Sequence, residues 1–323
     1  MPDGKEAPYR IVDRSGGEAG DERAKVIAAL CESPARVEPK YFYDDLGCAL
    51  YGAICRLPEY YPTRTEVALF REHRSAIAEA VGRERQFVDL GAGDCCKGQA
   101  WLPFLAPARY IAVDIARSEL ERSLARMAPD FPEIEMLGVI ADFGAGLPLD
   151  GILDDAPVTF FYPGSSIGNF TPPQAVAFLA RVRALCAPRA GSGLLIGVDG
   201  KKDPARLDAA YDDALGVTAA FNRNLLLHLN QRFGFDFALD AFEHRGFYNA
   251  AQGRVEMHLE SLREQEVALG GRTRRFARGE RIHTENSYKY HAAEFEALLH
   301  EAGFGQVRHW QSEDGGYFVF YAS

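Results

Sequence analysis

Five short apolar runs recur along the first two thirds of the chain: Phe87–Leu90, Tyr110–Val113, 136–140, Val158–Tyr162 and Gly193–Val198. Runs of four to six apolar residues read as strands buried on both faces. Between them, about residues 98–105, 117–127 and Gln174–Cys186, apolar positions fall three and four apart, the helical period. Thr171 and the two prolines after it cap and start the last of these helices. Strands alternating with helices predict a doubly wound α/β sheet. Helices are also predicted from Asp21 to about Cys31, and from Thr65 to Val81 with Val67, Phe70 and Ile77 on one face.

After Asp199 the period changes. Two helical patterns, one opening at Asp203-Pro204 and one running through Phe221 to Phe233, precede Gly246–Asn249, Arg254–Leu262, Gln265–Leu269 and Arg272–Ala277. These four read as an antiparallel meander, and the alternation Val255, Met257, Leu259 gives it one buried face. A last helix, Ala292 to Ala302, stops at Gly303, and Gln306–Trp310 with Tyr317–Tyr321 form a closing hairpin. The expected division is a flexible tail (1–20), an N-terminal helical part (21–64), a main domain (65–200 and 288–323) and an insertion (201–287).

Composition narrows the picture only modestly. The 323 residues are 47% hydrophobic and 25% charged, ordinary for a globular protein. A net charge of −10 argues against a nucleic-acid partner, which needs a basic footprint. No apolar stretch approaches the ~18 residues of a membrane span, and the N-terminus has no apolar signal region. The cysteines, 31, 48, 55, 95, 96 and 186, form no C-x-x-C pair, so a reducing cytoplasm is expected.

The candidate chemistry starts at the first strand. Phe87–Leu90 runs into Gly91-Ala-Gly93, the strand–glycine–helix step that opens a cofactor crevice in such sheets. The third glycine of a dinucleotide fingerprint is replaced by Cys96, and no GxxxxGK[ST] loop is present. A nucleoside ligand without phosphates, such as S-adenosylmethionine, fits better. Asp114, at the end of the next strand and 23 residues after Gly91, suits its ribose, and Asp142-Phe143 suits its adenine. The loop Gly164–Asn169 opens into the same crevice, and the Asn169 amide can both donate and accept. No metal is expected: His283, Glu285 and His291 match neither H-E-x-x-H nor the zinc-deaminase spacing.

Leu57-Pro-Glu-Tyr-Tyr-Pro-Thr-Arg-Thr-Glu66, Gly164-Ser-Ser-Ile-Gly-Asn169, Tyr211 to Asn224, Asp240-Ala-Phe-Glu-His244 and Arg254-Val-Glu-Met257 together resemble the histidine-specific Nα-methyltransferases of ergothioneine biosynthesis. The resemblance spans residues 33–323 in order. It implies a class I, Rossmann-like methyltransferase fold with a seven-stranded mixed sheet and a smaller α+β substrate-binding domain. It implies a monomer that trimethylates the α-amine of L-histidine to hercynine with S-adenosylmethionine. By the same resemblance, Gly91, Gly93, Lys97, Asp114, Asp142 and Phe143 would hold the donor. Tyr60, Asn169 and Tyr211 would hold the backbone groups of the amino acid, Asn169 and Tyr60 acting at the amine. Glu285 and Ser287 would hold the imidazole, with Asn286 between them and Tyr43, Gly164 and Met257 close by. The loop Asp94-Cys95-Cys96 departs from the small hydroxyl and acidic residues usual there. Two other readings stay open: a methyltransferase of the same fold acting on another amino acid or aromatic amine, and a non-catalytic module that binds the cofactor and regulates a partner.

Overall fold

The computed structural model describes residues 8–16, 19–142 and 146–323, with backbone alone at 19 and 20. Its strands are β1 (Arg10–Asp13), β2 (Ala35–Arg36), β3 (Gln86–Leu90), β4 (Arg109–Asp114), β5 (Glu135–Ile140), β6 (Val158–Tyr162), β7 (Gly193–Asp199), β8 (Phe242–Asn249), β9 (Arg254–Ser261), β10 (Gln265–Ala268), β11 (Thr273–Phe276), β12 (Arg281–Tyr288), β13 (Val307–Gln311) and β14 (Tyr317–Ala322). The large sheet has the order β1-β5-β4-β3-β6-β7-β14-β13. Its first six strands run parallel, and β14 is antiparallel to both neighbours.

The sheet therefore has eight strands, not the expected seven. The extra one is β1, in a stretch expected to be loose tail. It pairs along β5 from Arg10↔Leu137 to Asp13↔Ile140. Ile11 and Val12 pack on opposite faces of the sheet, which is what two apolar residues in a row do on an edge strand. Both faces are covered. Val88, Leu90, Ile111 and Val113 belong to one core, and Phe87, Tyr110 and Ala112 to the other. Fully buried strands of this kind lose the polar–apolar alternation, hence the continuous runs in the sequence.

The helix expected over 65–81 is two helices, Tyr61–Glu72 and Arg74–Val81, broken at His73. The expected meander also differs. β8 and β9 pair, but β9 then pairs with β12, and the second sheet has the order β2-β12-β9-β8. β10 and β11 leave it as a separate two-stranded ribbon. Val255, Met257 and Leu259 do face inward, into a third core shared with Phe221, Leu225 and Leu229 of the helix Val217–Phe233. Strand order reverses at β3, whose neighbours β4 and β6 are reached in opposite directions. The carboxyl ends of such strands form the crevice where α/β sheets bind ligands.

Candidate active site

Gly91 and Gly93 leave β3 with φ of +68° and +50°, a region glycine enters without a Cβ penalty. The Gly93 N–H donates to Asp114 Oδ2 (2.8 Å) and the Ala116 N–H to Asp114 Oδ1 (2.8 Å). The carboxylate thus ties the glycine turn to the end of β4 and keeps lone pairs for further donors. A Cβ at Gly93 would meet nothing within 4 Å, so the turn borders open space. Burial raises the Asp114 pKa against these backbone donors. Cys95 is buried and Cys96 exposed, and the Gly93–Asp114 hook forms beside them. This open glycine cradle, with a half-buried carboxylate beside it, fits a nucleoside.

Lys97 lies at the same end of the sheet but is engaged. Its Nζ is 2.6 Å from Oε2 of the fully buried Glu66. Glu66 Oε1 in turn accepts from the Gly164 N–H (2.7 Å) and the Tyr317 hydroxyl (2.7 Å). Lys97 and Gly164 are thus brought together through a carboxylate that sequence reasoning did not single out. Asp142 is half-buried and bonded by Lys40 Nζ at 2.9 Å. Phe143 lies outside the described residues.

The opposite wall is built on β12. Its pairing with β9 shifts between His283 and Glu285: His283 pairs with His258, and Glu285 with Met257. One residue, Thr284, is taken out of the ladder. A one-residue offset moves the following side chains to the other face. Glu285 and Ser287 consequently share the inward face with Met257 and Val255. The single Thr284 hydroxyl hydrogen is shared between Asn222 Oδ1 (2.8 Å) and Met257 O (3.0 Å), which fixes the bulge from within. The Asn286 side chain falls on the outward face opposite Glu256. What Asn286 offers to the inward side is its carbonyl oxygen.

Asn169 ends the short helix Ser166–Asn169 after β6. Its amide nitrogen donates to Glu285 Oε1 (3.1 Å) and to Asn286 O (3.0 Å). The approach requires Gly168, where a Cβ would stand 2.9 Å from Tyr288 O. Burial drives the Glu285 pKa up to about 7, against the opposing pull of Lys289 and the Asn169 bond. Tyr43, Tyr51, Tyr60 and Tyr211 form a run of edge-to-face rings, with successive centroids at 5.9, 6.4 and 6.0 Å. Burial, then the Glu285 and Asp114 carboxylates, raise the Tyr43 phenol well above its ordinary pKa. Tyr51 was not foreseen; it sits inside the regular helix Asp45–Ile54, where a tyrosine has no distinguishing pattern.

Behind this wall lies a second unforeseen group. Lys289, with no exposed surface, donates to Tyr211 Oη (2.9 Å) and Ser287 Oγ (2.9 Å) and lies 2.8 Å from Asp199 Oδ2. Tyr211 and Ser287 are themselves 2.7 Å apart. Asp199 also accepts from the Tyr61 hydroxyl (2.7 Å) and from Lys202. The paired cations hold the Asp199 carboxyl low despite burial, and Asp199 holds Lys289 high. Burial brings Lys202 down to about 8. No motif announces this group; only folding brings Asp199, Tyr211 and Lys289 together.

The strand order and the crevice at its reversal define a doubly wound, Rossmann-like α/β protein. The model of the family described as "Histidine-specific methyltransferase, SAM-dependent" matches residues 22–323, and the chain belongs to that family. It is 39% identical over 302 residues to a histidine N-alpha-methyltransferase of Mycolicibacterium smegmatis, covering 92% of each chain. It is 36% identical over 315 residues to one of Mycobacterium tuberculosis, covering 95% of this chain and 97% of that one. A 4-dimethylallyltryptophan N-methyltransferase of Trichophyton verrucosum is more distant, at 27% identity over 92% of this chain and 91% of that one.

Proposed function

We propose that this protein transfers three methyl groups in succession from S-adenosylmethionine to the α-amine of L-histidine, forming hercynine, the first step of ergothioneine biosynthesis. The observation that carries this reading is the pairing of Glu285 with Ser287 on the inward face of β12. Lys289 can only donate, and it donates to both Ser287 Oγ and Tyr211 Oη. One hydroxyl hydrogen is used between those two oxygens, so the other is free to donate into the pocket. Glu285 accepts two residues away. A neutral imidazole presents one N–H and one bare nitrogen, and this wall offers one acceptor and one donor to match.

The methyl donor brings an already activated methyl group, so the protein's part is to position and desolvate. The Gly91–Gly93 turn, Asp114 and Asp142 hold the donor in this reading, Lys97 supporting the loop through Glu66. Tyr60 and Asn169 orient the amine, which must be neutral to react, and the tyrosine run excludes water. Residues 65–200 with 288–323 serve as the donor-binding part, and 201–287 with 21–64 as the amino-acid-binding part. A monomer in a reducing cytoplasm suits six free thiols. Among the described residues no helix is long and apolar enough to cross a membrane.

The test is mass spectrometry of L-histidine incubated with the protein and S-adenosylmethionine. Mono-, di- and trimethylated histidine, with the α-nitrogen as the site, is the expected result. Turnover of tryptophan or another amine with none from histidine would overturn the assignment of the β12 wall.

A further inference from the structure

The outward face of the second sheet carries a cluster that histidine methylation does not use. Glu256 and His258 stand two apart on β9, and His283 pairs directly with His258 from β12. One ligand atom from each lies within 4.8 Å of the others. His258 Nε2 is 2.9 Å from Glu256 Oε2. The His258 and His283 rings are 4.9 Å apart, and Phe247 stacks on the other face of His258 at 5.5 Å and 8°. Three polar atoms here, His258 Nδ1, His283 Nε2 and Asn286 Oδ1, are buried without a well-formed hydrogen bond, the Asn286 side chain lying close to His283. Asn286 belongs to the same face, opposite Glu256. Unpartnered buried polar atoms are costly and uncommon, and three together, two of them imidazole nitrogens, point to a missing ligand.

We propose that Glu256, His258 and His283 form a binding site for a divalent transition cation, zinc being the best chemical fit. Two imidazoles and a carboxylate are a recurrent zinc donor set that leaves a fourth position for water or the Asn286 oxygen. Tetrahedral coordination needs ligand atoms about 3.4 Å apart, given metal–ligand bonds of about 2.0–2.1 Å. The cluster's spacing of up to 4.8 Å would have to contract by side-chain rotation when the cation binds. Arg254 binds Glu256 Oε1 at 2.8 Å, so Oε2, which meets His258 Nε2 in the metal-free cluster, is the oxygen that would turn to the cation. The cation would clip β9 to β12 beside the bulge at Thr284, next to the strand positions of Glu285 and Ser287.

The experiment is calorimetric titration of tag-free, chelator-treated protein with ZnCl2 in the absence of histidine, which would itself chelate the ion. Visible absorption of the Co2+ form reports the coordination geometry. One equivalent bound with micromolar or tighter affinity is expected, with tetrahedral Co2+ bands. His283→Asn and Glu256→Gln should each weaken binding at least tenfold and abolish the rise in Tm that the metal gives the parent protein. Should His283→Asn fail to fold, Glu256→Gln and His258→Asn decide the matter. No saturable binding by the parent, or equal binding by folded variants, would overturn the site. Neither readout depends on turnover, so the result stands apart from the identity of the methyl acceptor.

Discussion

Glu285 is the side chain on which most depends. Its pKa rises from 4.5 to about 7 because burial penalises the carboxylate more than Lys289 and Asn169 relieve it. The native state then holds this proton more tightly than the unfolded chain does. The group favours folding most below pH 4.5, and that advantage is lost as pH rises through 7. Above it the ligand-free protein bears a penalty on the order of 3 kcal/mol, at 1.36 kcal/mol per pKa unit. Glu285→Gln is therefore expected to stabilise the empty protein by about 2 kcal/mol in urea unfolding at pH 8, with the gain shrinking towards pH 5. In the proposed reading the same change leaves only a neutral, weaker acceptor for the imidazole N–H. Glu285→Ala should weaken histidine binding roughly 10- to 100-fold, the worth of one charged hydrogen bond, and Glu285→Gln by less. Affinity for S-adenosylmethionine should stay within about threefold. Equal losses for both ligands in calorimetry would mean that Glu285 does not face the amino acid.

At the scale of elements, legibility followed burial. Strands buried on both faces left continuous apolar runs, and β3, β4, β6 and β7 could be read from them to within about a residue. β1 and β12 could not. β1 has four residues in a stretch rich in glycine and charge. β12 reads Arg-Ile-His-Thr-Glu-Asn-Ser-Tyr, polar because it turns Glu285 and Ser287 to one face and carries His283 and Asn286 on the other. Its alternation is also broken by the bulge, so no period marks it as a strand. Glu285 and Ser287 were reached through family resemblance, and the lattice of bonds that aims them was visible only in three dimensions. Thr284 is the test of that lattice. Thr284→Val keeps the shape but leaves Asn222 Oδ1 without its donor in a buried position. A loss of about 1–3 kcal/mol is expected, with a higher KM for histidine and unchanged donor affinity. An unchanged KM would show that the bulge holds without its hydroxyl.

Across the whole molecule, the two sheets meet at Asp199 and Lys289. Asp199 ends β7 of the large sheet, Lys289 follows β12 of the small one, and Gly200 bridges to Tyr290 beside them. Both charged groups are fully buried, an arrangement that contributes little over an apolar pair but costs about 3–5 kcal/mol when one partner is removed. Here Lys202 and Tyr61 would remain on Asp199, which sets the expectation at the lower end. Lys289→Met should therefore cost about 3 kcal/mol in urea unfolding. It should also uncouple stability from recognition in a specific way. Without the ammonium, the lone pairs it occupies on Ser287 Oγ and Tyr211 Oη are released, so the pair can accept from the pocket as well as donate and no longer fixes a donor there. Ser287→Ala should then weaken histidine binding far less in the Lys289→Met background than in the parent, a coupling above about 1 kcal/mol in a double-mutant cycle. Additive losses would mean that Lys289 joins the sheets without shaping the pocket. Coupled losses would make one buried cation both the joint between them and the source of the donor that selects the imidazole.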